Sequence, residues 1–238
     1  MKKSMNKSCC VARAFFHVVL YAAIAHAVSL HAASKEISDD WFQQYYQHPS
    51  PERFETEVQK LQQRGALSTK NAYYSMAAFS ARLFALNGDK VQQWMSVVDR
   101  FPEQDRKVFV TALRWADTTN TISLLKQYAL ARGEFGKYCS QILASVPPDF
   151  KTLTDPTPNE LDGCWGSFFV TGDKDYVLTV IRCAVAPRKP DSKNVLAQQA
   201  ARWSLKALCR THPSVVKIKD QFCATASEEQ KKVLDKFL

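Results

Sequence analysis

Thr171-Gly172-Asp173-Lys174, inside the stretch FFVTGDKDYVLTV at 168–180, has residue types that serve phosphate or metal sites. A phosphate-binding loop requires G-x-x-x-x-G-K-[S/T] after a strand, so that successive N–H groups wrap the phosphates. The second glycine and the strand are both missing here, and G-x-G-x-x-G does not occur anywhere. Metal and nucleophile chemistry has little to work with. Past residue 32 the histidines are His48 and His212, and no C-x-x-C pair exists. Cys209-Arg210-Thr211-His212 is a lone C-x-x-H just before Pro213, where a helix should end. No G-x-S-x-G or H-E-x-x-H signature is present. Glu160 and Asp162 read as first-turn residues favoured by a helix dipole, and Glu55 and Glu57 as solvated. Catalytic, metal and cofactor-binding residues are therefore assigned to none of these positions.

The same residues make good sense as a corner. Glycine closes a helix in the left-handed conformation, and aspartate caps the next helix. Gly88-Asp89 repeats Gly172-Asp173 at an offset of 84 residues, with Phe84 matching Phe168 and Lys90 matching Lys174. Ala116-Asp117-Thr118 offers a third turn without glycine. Corners at intervals describe helical hairpins stacked as in repeat proteins.

The elements between the corners are helical. Phe54, Val58 and Leu61 follow Ser50-Pro51-Glu52, which reads as N-cap, N1 proline and acidic first turn, and Gly65 supplies a stop. Val91, Trp94, Val98 and Phe101 make a second apolar stripe. Val177, Val180, Ile181 and Ala184 make a third, and Leu196, Ala200, Trp203 and Ala207 a fourth. Helices are expected near 38–47, 51–64, 69–86, 89–100, 103–116, 119–131, 132–146, 158–171, 173–185, 192–209 and 213–237, the last broken near Ala224–Ser227. Strictly alternating β-branched runs are absent. The fold class is all-α: antiparallel helical hairpins, with a short tetratricopeptide-like solenoid as one arrangement. Four prolines between Pro147 and Pro158 define a loop that could divide a lobe at 38–146 from one at 159–238.

The N-terminus has the layout of a secretory signal: Lys2, Lys3, Lys7 and Arg13, then an uncharged, mostly apolar run from Ala14 to Leu30, with Ala25-His26-Ala27 as an A-x-A cleavage site and cleavage after 32 as the second option. The alternative is an uncleaved anchor in the inner membrane, although a span needs about 20 apolar residues. Loss of 1–27 leaves 28 basic and 23 acidic residues, net +5. Apart from Arg188-Lys189 and Lys217 to Lys219 the basic residues are scattered, which disfavours a nucleic-acid groove.

Five cysteines remain beyond the signal: Cys139, Cys164, Cys183, Cys209 and Cys223. Cys164 and Cys183 lie at similar heights about the Gly172 corner and are the first disulfide candidates, with Cys183 and Cys223 as the alternative. Trp41, Phe42, Tyr45 and Tyr46 form an aromatic stripe on the first mature helix. Such stripes usually pack in a core, but a terminal helix could present one as a partner surface.

Two segments carry a resemblance: Trp41-x-x-x-Tyr45-Tyr46-x-x-Pro49-x-Pro51-x-x-Phe54, and Leu161-Asp162-x-x-Trp165-Gly166-x-Phe168-Phe169-x-Thr171-Gly172-Asp173. Together they resemble a family of secreted, all-helical bacterial proteins with no assigned activity. The resemblance implies export and helical architecture and carries no site residues. The function expected is that of an exported, non-enzymatic, periplasmic or secreted module. Its partner would be a protein or peptide, with no cofactor and no nucleic acid. Membrane contact would be confined to an uncleaved N-terminus. The alternative is an envelope hydrolase with an acidic site that has no local signature.

Overall fold

In the computed structural model, which describes residues 41–67, 69–187 and 195–238, twelve α-helices and one 3-10 turn follow one another, with no strand among the described residues. They are α1 (Trp41–Gln44), the 3-10 turn (Pro51–Arg53), α2 (Phe54–Gln63), α3 (Lys70–Leu86), α4 (Val91–Val98), α5 (Glu103–Ala116), α6 (Thr119–Ala129), α7 (Glu134–Ala144), α8 (Pro158–Thr171), α9 (Lys174–Val185), α10 (Val195–Thr211), α11 (Pro213–Thr225) and α12 (Glu228–Phe237). The segment expected to be a signal, its two candidate cleavage sites and Arg188-Lys189 lie outside the described residues. No helix among those described is long and apolar enough to cross a membrane.

Local capping chemistry sets many of the boundaries. Thr118, Thr157 and Ser227 each open a helix through a capping box, in which side chain and backbone at N-cap and N3 satisfy each other. Gly172 ends α8 at φ 64°, its N–H donating to Phe168 O at 2.7 Å. Asp173 then caps α9 by accepting from Asp175 N–H at 3.0 Å. The Gly88-Asp89 corner works differently from the expectation. Gly88 does not take a positive φ, and Lys90 rather than Asp89 stands at the N-cap of α4. Asn87 ends α3 instead, its Nδ2 donating to Leu83 O at 2.9 Å, and Lys90 N–H closes the turn onto Asn87 O. Ser50 also departs from its expected role. Its hydroxyl caps nothing and accepts from Trp41 Nε1 at 2.9 Å.

An alanine at 172 would carry the left-handed strain of about 1–2 kcal/mol and place its Cβ 3.1 Å from Tyr46 Cδ2. Gly65 has φ 66°, and a methyl added there would have nothing within 4 Å, so Gly65→Ala isolates the backbone cost. Urea unfolding should show Gly172→Ala losing more stability than Gly65→Ala. Equal losses would remove any role for the Tyr46 contact.

Helix α3 is the centre of the packing. It lies against α5 on one side and, most extensively, against α8 on the other. Two helices nearly ninety residues apart in sequence thus form the largest contact. A solenoid, by contrast, packs each repeat against its sequence neighbours. Gly166 permits the approach, because a Cβ there would drive into the Ser75 carbonyl of α3. The prolines do not separate two lobes: the described residues belong to one unit. Phe150, from that proline-rich loop, is buried against Trp115 and over Gly163, and Cys164 Sγ donates to Phe150 O at 3.4 Å. Thr179 Oγ1 donates to Lys151 O at 2.7 Å, and Lys151 Nζ bonds Asp173 at 2.6 Å. The loop is stitched across the α8–α9 corner.

Candidate functional site

The Thr171–Lys174 segment is a structural corner. Burial alone would raise the Asp173 carboxyl; the Lys151 ammonium, the Asp175 N–H and nearby cations outweigh it and hold the group below its ordinary value. Lys151 is raised in turn by its bond to Asp173.

A groove of about 720 Å³ opens between the end of α9, one face of α10 and the last helix α12. That volume falls within the range of small-ligand and peptide sites. Its apolar part comes from Val185, Ala186 and Pro187 on one side and Val233 and Phe237 on the other. The sequence builds this locally. Pro187 cannot continue α9, and Val233 and Phe237 stand one turn apart on α12 while Leu234 turns into the core. Arg202 of α10 donates from Nε to Ala184 O at 2.8 Å, satisfying a carbonyl of the last turn of α9, and its guanidinium lies 5.6 Å from the Phe237 ring centre. Lys206 Nζ fixes the end of α12 through Phe237 O at 2.8 Å. Ser227, Glu229, Gln230 and Lys236 give a rim of amide, hydroxyl and both signs of charge. A smaller recess of about 290 Å³ lies at the Gly88-Asp89 corner, where Gln92, Asn120, Ser123 and Gln127 gather.

The carboxylates noted in the sequence do not converge. Glu160 is consumed by the Thr157 cap at 2.7 Å, Glu57 pairs with Arg53 and Lys60, and Glu55 accepts from Gln93 at 2.6 Å. Asp162, expected as a first-turn residue favoured by the helix dipole, lies past the first turn of α8 and is half-buried. Burial pushes its carboxyl up to about 7, with no hydrogen bond or ion pair to it among the described residues. It lines neither cavity. No group of three or more His, Cys, Asp or Glu that could hold a metal is found among the described residues.

His212 is fully buried at the α10–α11 junction, not paired with Cys209 in a C-x-x-H site. Its Nδ1 lies 3.2 Å from Tyr46 OH and its Nε2 3.4 Å from Gln43 Oε1, beside the Phe169 ring. Burial lowers its pKa, so the neutral ring serves as a hydrogen-bond link between α1 and the C-terminal helices. A hydroxyl cluster that periodicity could not reveal joins three helices: Tyr73 OH is 2.6 Å from both Thr111 Oγ1 and Tyr138 OH. Burial raises the Tyr73 pKa, and the cluster is a structural tie.

Neither disulfide candidate forms. Cys164 and Cys183 are buried free thiols, as is Cys139, while Cys209 and Cys223 are half-buried and free. Desolvation holds Cys183 and Cys139 up at about 11, so they behave as small core residues. The aromatic stripe of α1 is likewise no open partner surface. Trp41 and Tyr45 are buried around Phe79, with ring centres 5.3 and 5.8 Å from it. Phe42 packs on the same ring, and Tyr46 lies on Phe168, its N–H donating to Phe169 O. The fourth apolar stripe is reversed as well. Ala197, Ala201 and Leu205 face the core, whereas Leu196 is 69% and Trp203 54% exposed.

Sequence reading missed the groove residues. Their signal was the Val233/Phe237 pair at i, i+4 in the last helix, which reads equally well as ordinary core. Comparison with protein-family models, with curated proteins and with solved structures finds no match to this chain.

Proposed function

We propose that this is an exported, non-enzymatic helical protein that holds a short protein or peptide segment in the groove between α9, α10 and α12. Export rests on the basic–apolar–small order of the N-terminus and on the resemblance to secreted helical proteins. The groove carries the binding assignment. An apolar floor of Val185, Pro187, Val233 and Phe237 under a rim with both charge signs matches a partner that buries apolar side chains and leaves its backbone to the polar edge. A polyanion would meet Glu229 beside Lys236, and so has no advantage there. The hydrolase alternative draws on Asp162 alone, since a carboxyl protonated near neutrality suits a general acid. Among the described residues no second carboxylate converges on it, it lines neither cavity, and Glu229 is the one acid lining the groove.

Photocross-linking in the native cells tests the proposal. A photoreactive residue at Gln230 should trap a discrete adduct, a control at Gln92 on α4 should not, and Val233→Arg should abolish the adduct while leaving helicity intact. No adduct at 230, equal adducts at both positions, or an adduct that survives Val233→Arg would overturn the groove assignment.

A further inference from the structure

The two glycine–aspartate corners differ in what they leave for the aspartate to do. Asp173 caps α9 and bonds Lys151. Asp89 does neither. Lys90 stands at the N-cap of α4, Asn87 ends α3, and Asp89 has no hydrogen bond or ion pair with any described residue. Its carboxylate lines the recess of about 290 Å³ at this corner. Helix α6 supplies the facing wall. Asn120, Ser123, Leu124 and Gln127 recur at i, i+3, i+4 and i+7, which puts them on one side of that helix. Val91 and Leu124 are buried and give the recess an aliphatic floor. The polar side chains around it are exposed. Among the described residues the Gln92 and Gln127 carboxamides and the Ser123 hydroxyl are as uncommitted as Asp89. Asn120 makes one long bond, 3.5 Å from Nδ2 to Gly88 O.

We propose that this recess binds an uncharged sugar ring. A carboxamide offers donors and an acceptor side by side, a hydroxyl offers either, and a carboxylate offers two acceptor oxygens. The neighbouring hydroxyls of a pyranose need that mixture, since each of them both donates and accepts. Asp89 accepts from two adjacent hydroxyls, the carboxamides and Ser123 serve the others, and the C–H face of the ring lies on Val91 and Leu124. Other ligand classes fit worse. An anion would meet Asp89, and no Lys or Arg is among the described residues that line the recess. A calcium ion takes six to eight oxygens, several of them from carboxylates, and one carboxylate stands here. An apolar ligand would cover these polar side chains and leave them unpaired. The volume lies just under the range of about 300–1,000 Å³ for drug-sized ligands, which suits a single ring. With so open a site the affinity is weak, a Kd on the order of 1–10 mM. The recess shares no residue with the α9–α10–α12 groove, and one sugar beside Gln92 is no protein adduct, so either assignment can fail alone.

Proton–nitrogen NMR of the isotope-labelled protein isolated from its own cells reads the binding directly. The probes are the methyl glycosides of glucose, galactose, mannose and N-acetylglucosamine, each titrated to about 50 mM. At least one should saturate, with its shifts concentrated at residues 88–92 and 120–127. Asp89→Ala should weaken that glycoside at least about tenfold, through loss of a charged acceptor, and Gln127→Ala about threefold. Both side chains are exposed, so helicity should not change. Tetrahydropyran-2-methanol, a ring without the neighbouring hydroxyls, should not bind. Glu229→Gln, in the groove, should leave the sugar affinity as it was. Saturation by none of the glycosides, shifts centred elsewhere, or undiminished binding by Asp89→Ala overturns the proposal, as does equal binding of the bare ring. Shifts at the same residues with calcium chloride or sodium phosphate, and not with a glycoside, overturn it in favour of an ion site.

Discussion

Gly166→Ala is expected to destabilise the protein by about 2–3 kcal/mol, although the same change in an ordinary helix interior stabilises by up to about 1 kcal/mol. The reversal of sign comes from the α3–α8 contact. A methyl at 166 would overlap the Ser75 carbonyl oxygen, with Ser75 C at 2.9 Å and Phe79 N at 3.1 Å. These are backbone atoms of a buried helix, so no rotamer change relieves the overlap, and the two central helices must move apart. Gly163→Ala provides the comparison. Its methyl would meet the ring of Phe150, whose Cε2 would lie 3.0 Å away, so the overlap there is with a side chain and not with the backbone of a helix. Urea unfolding of both variants should give the larger loss at 166. A Gly166→Ala protein as stable as the parent would mean that α3 and α8 do not pack as closely as described.

Asp162→Asn is expected to raise stability by about 2–4 kcal/mol at pH 8 and to leave it nearly unchanged at pH 4. The carboxyl rises from 3.8 to about 7 in the fold, equivalent to about 4 kcal/mol at 1.36 kcal/mol per pH unit; the side chain keeps some solvent access, which lowers the figure. Its folded pKa lies above its unfolded one, so between pH 4 and 7 the folded chain holds a proton that the unfolded chain has released. Stability therefore falls as pH rises through that window, and the full cost of the buried charge persists above it. Asparagine has nearly the same shape and no charge to bury. The paired Asp173 acts with the opposite sign. Its folded value lies below 3.8, so its contribution is present above that value and is lost as pH falls through the folded pKa. Urea midpoints at pH 4, 6 and 8 separate the two carboxylates. An Asp162→Asn advantage that does not grow with pH would show that the carboxyl is solvated after all.

Gly166 and Asp162 sit on one helix and explain its sequence. Between Leu161 and Val170, α8 is buried almost throughout, and glycines at 163 and 166 mark where neighbours come closest. A helix so enclosed has no polar face to display. The proposed binding groove lies instead at the C-terminal helices, where α10 and α12 keep one side in solvent.

Much of this architecture was readable in the sequence, because the determinants were local. Gly172 takes the left-handed angle that needs no distant partner, Asp173 caps α9 within two residues, and Pro187 stops α9 by its own ring. The stripes Val91/Trp94/Val98 and Val177/Val180/Ile181 are buried as periodicity implied. The class, all-α, follows from such signals. What the sequence could not decide was which side of an element meets another far away. Helix α10 has two apolar stripes, and periodicity weights Trp203 more heavily than Ala197; the structure buries the alanine side because close packing on α9 and α8 favours small residues. Asp162 reads as a first-turn acid until α8 is enclosed by its neighbours. Gly88-Asp89 and Gly172-Asp173 look alike as strings, yet only the second adopts the glycine-closed, aspartate-capped form, with Lys151 from a distant loop holding its aspartate. Turn chemistry acts over about four residues and is legible one residue at a time, whereas burial is settled by contacts such as that of α3 with α8, which exist only once the whole chain has folded.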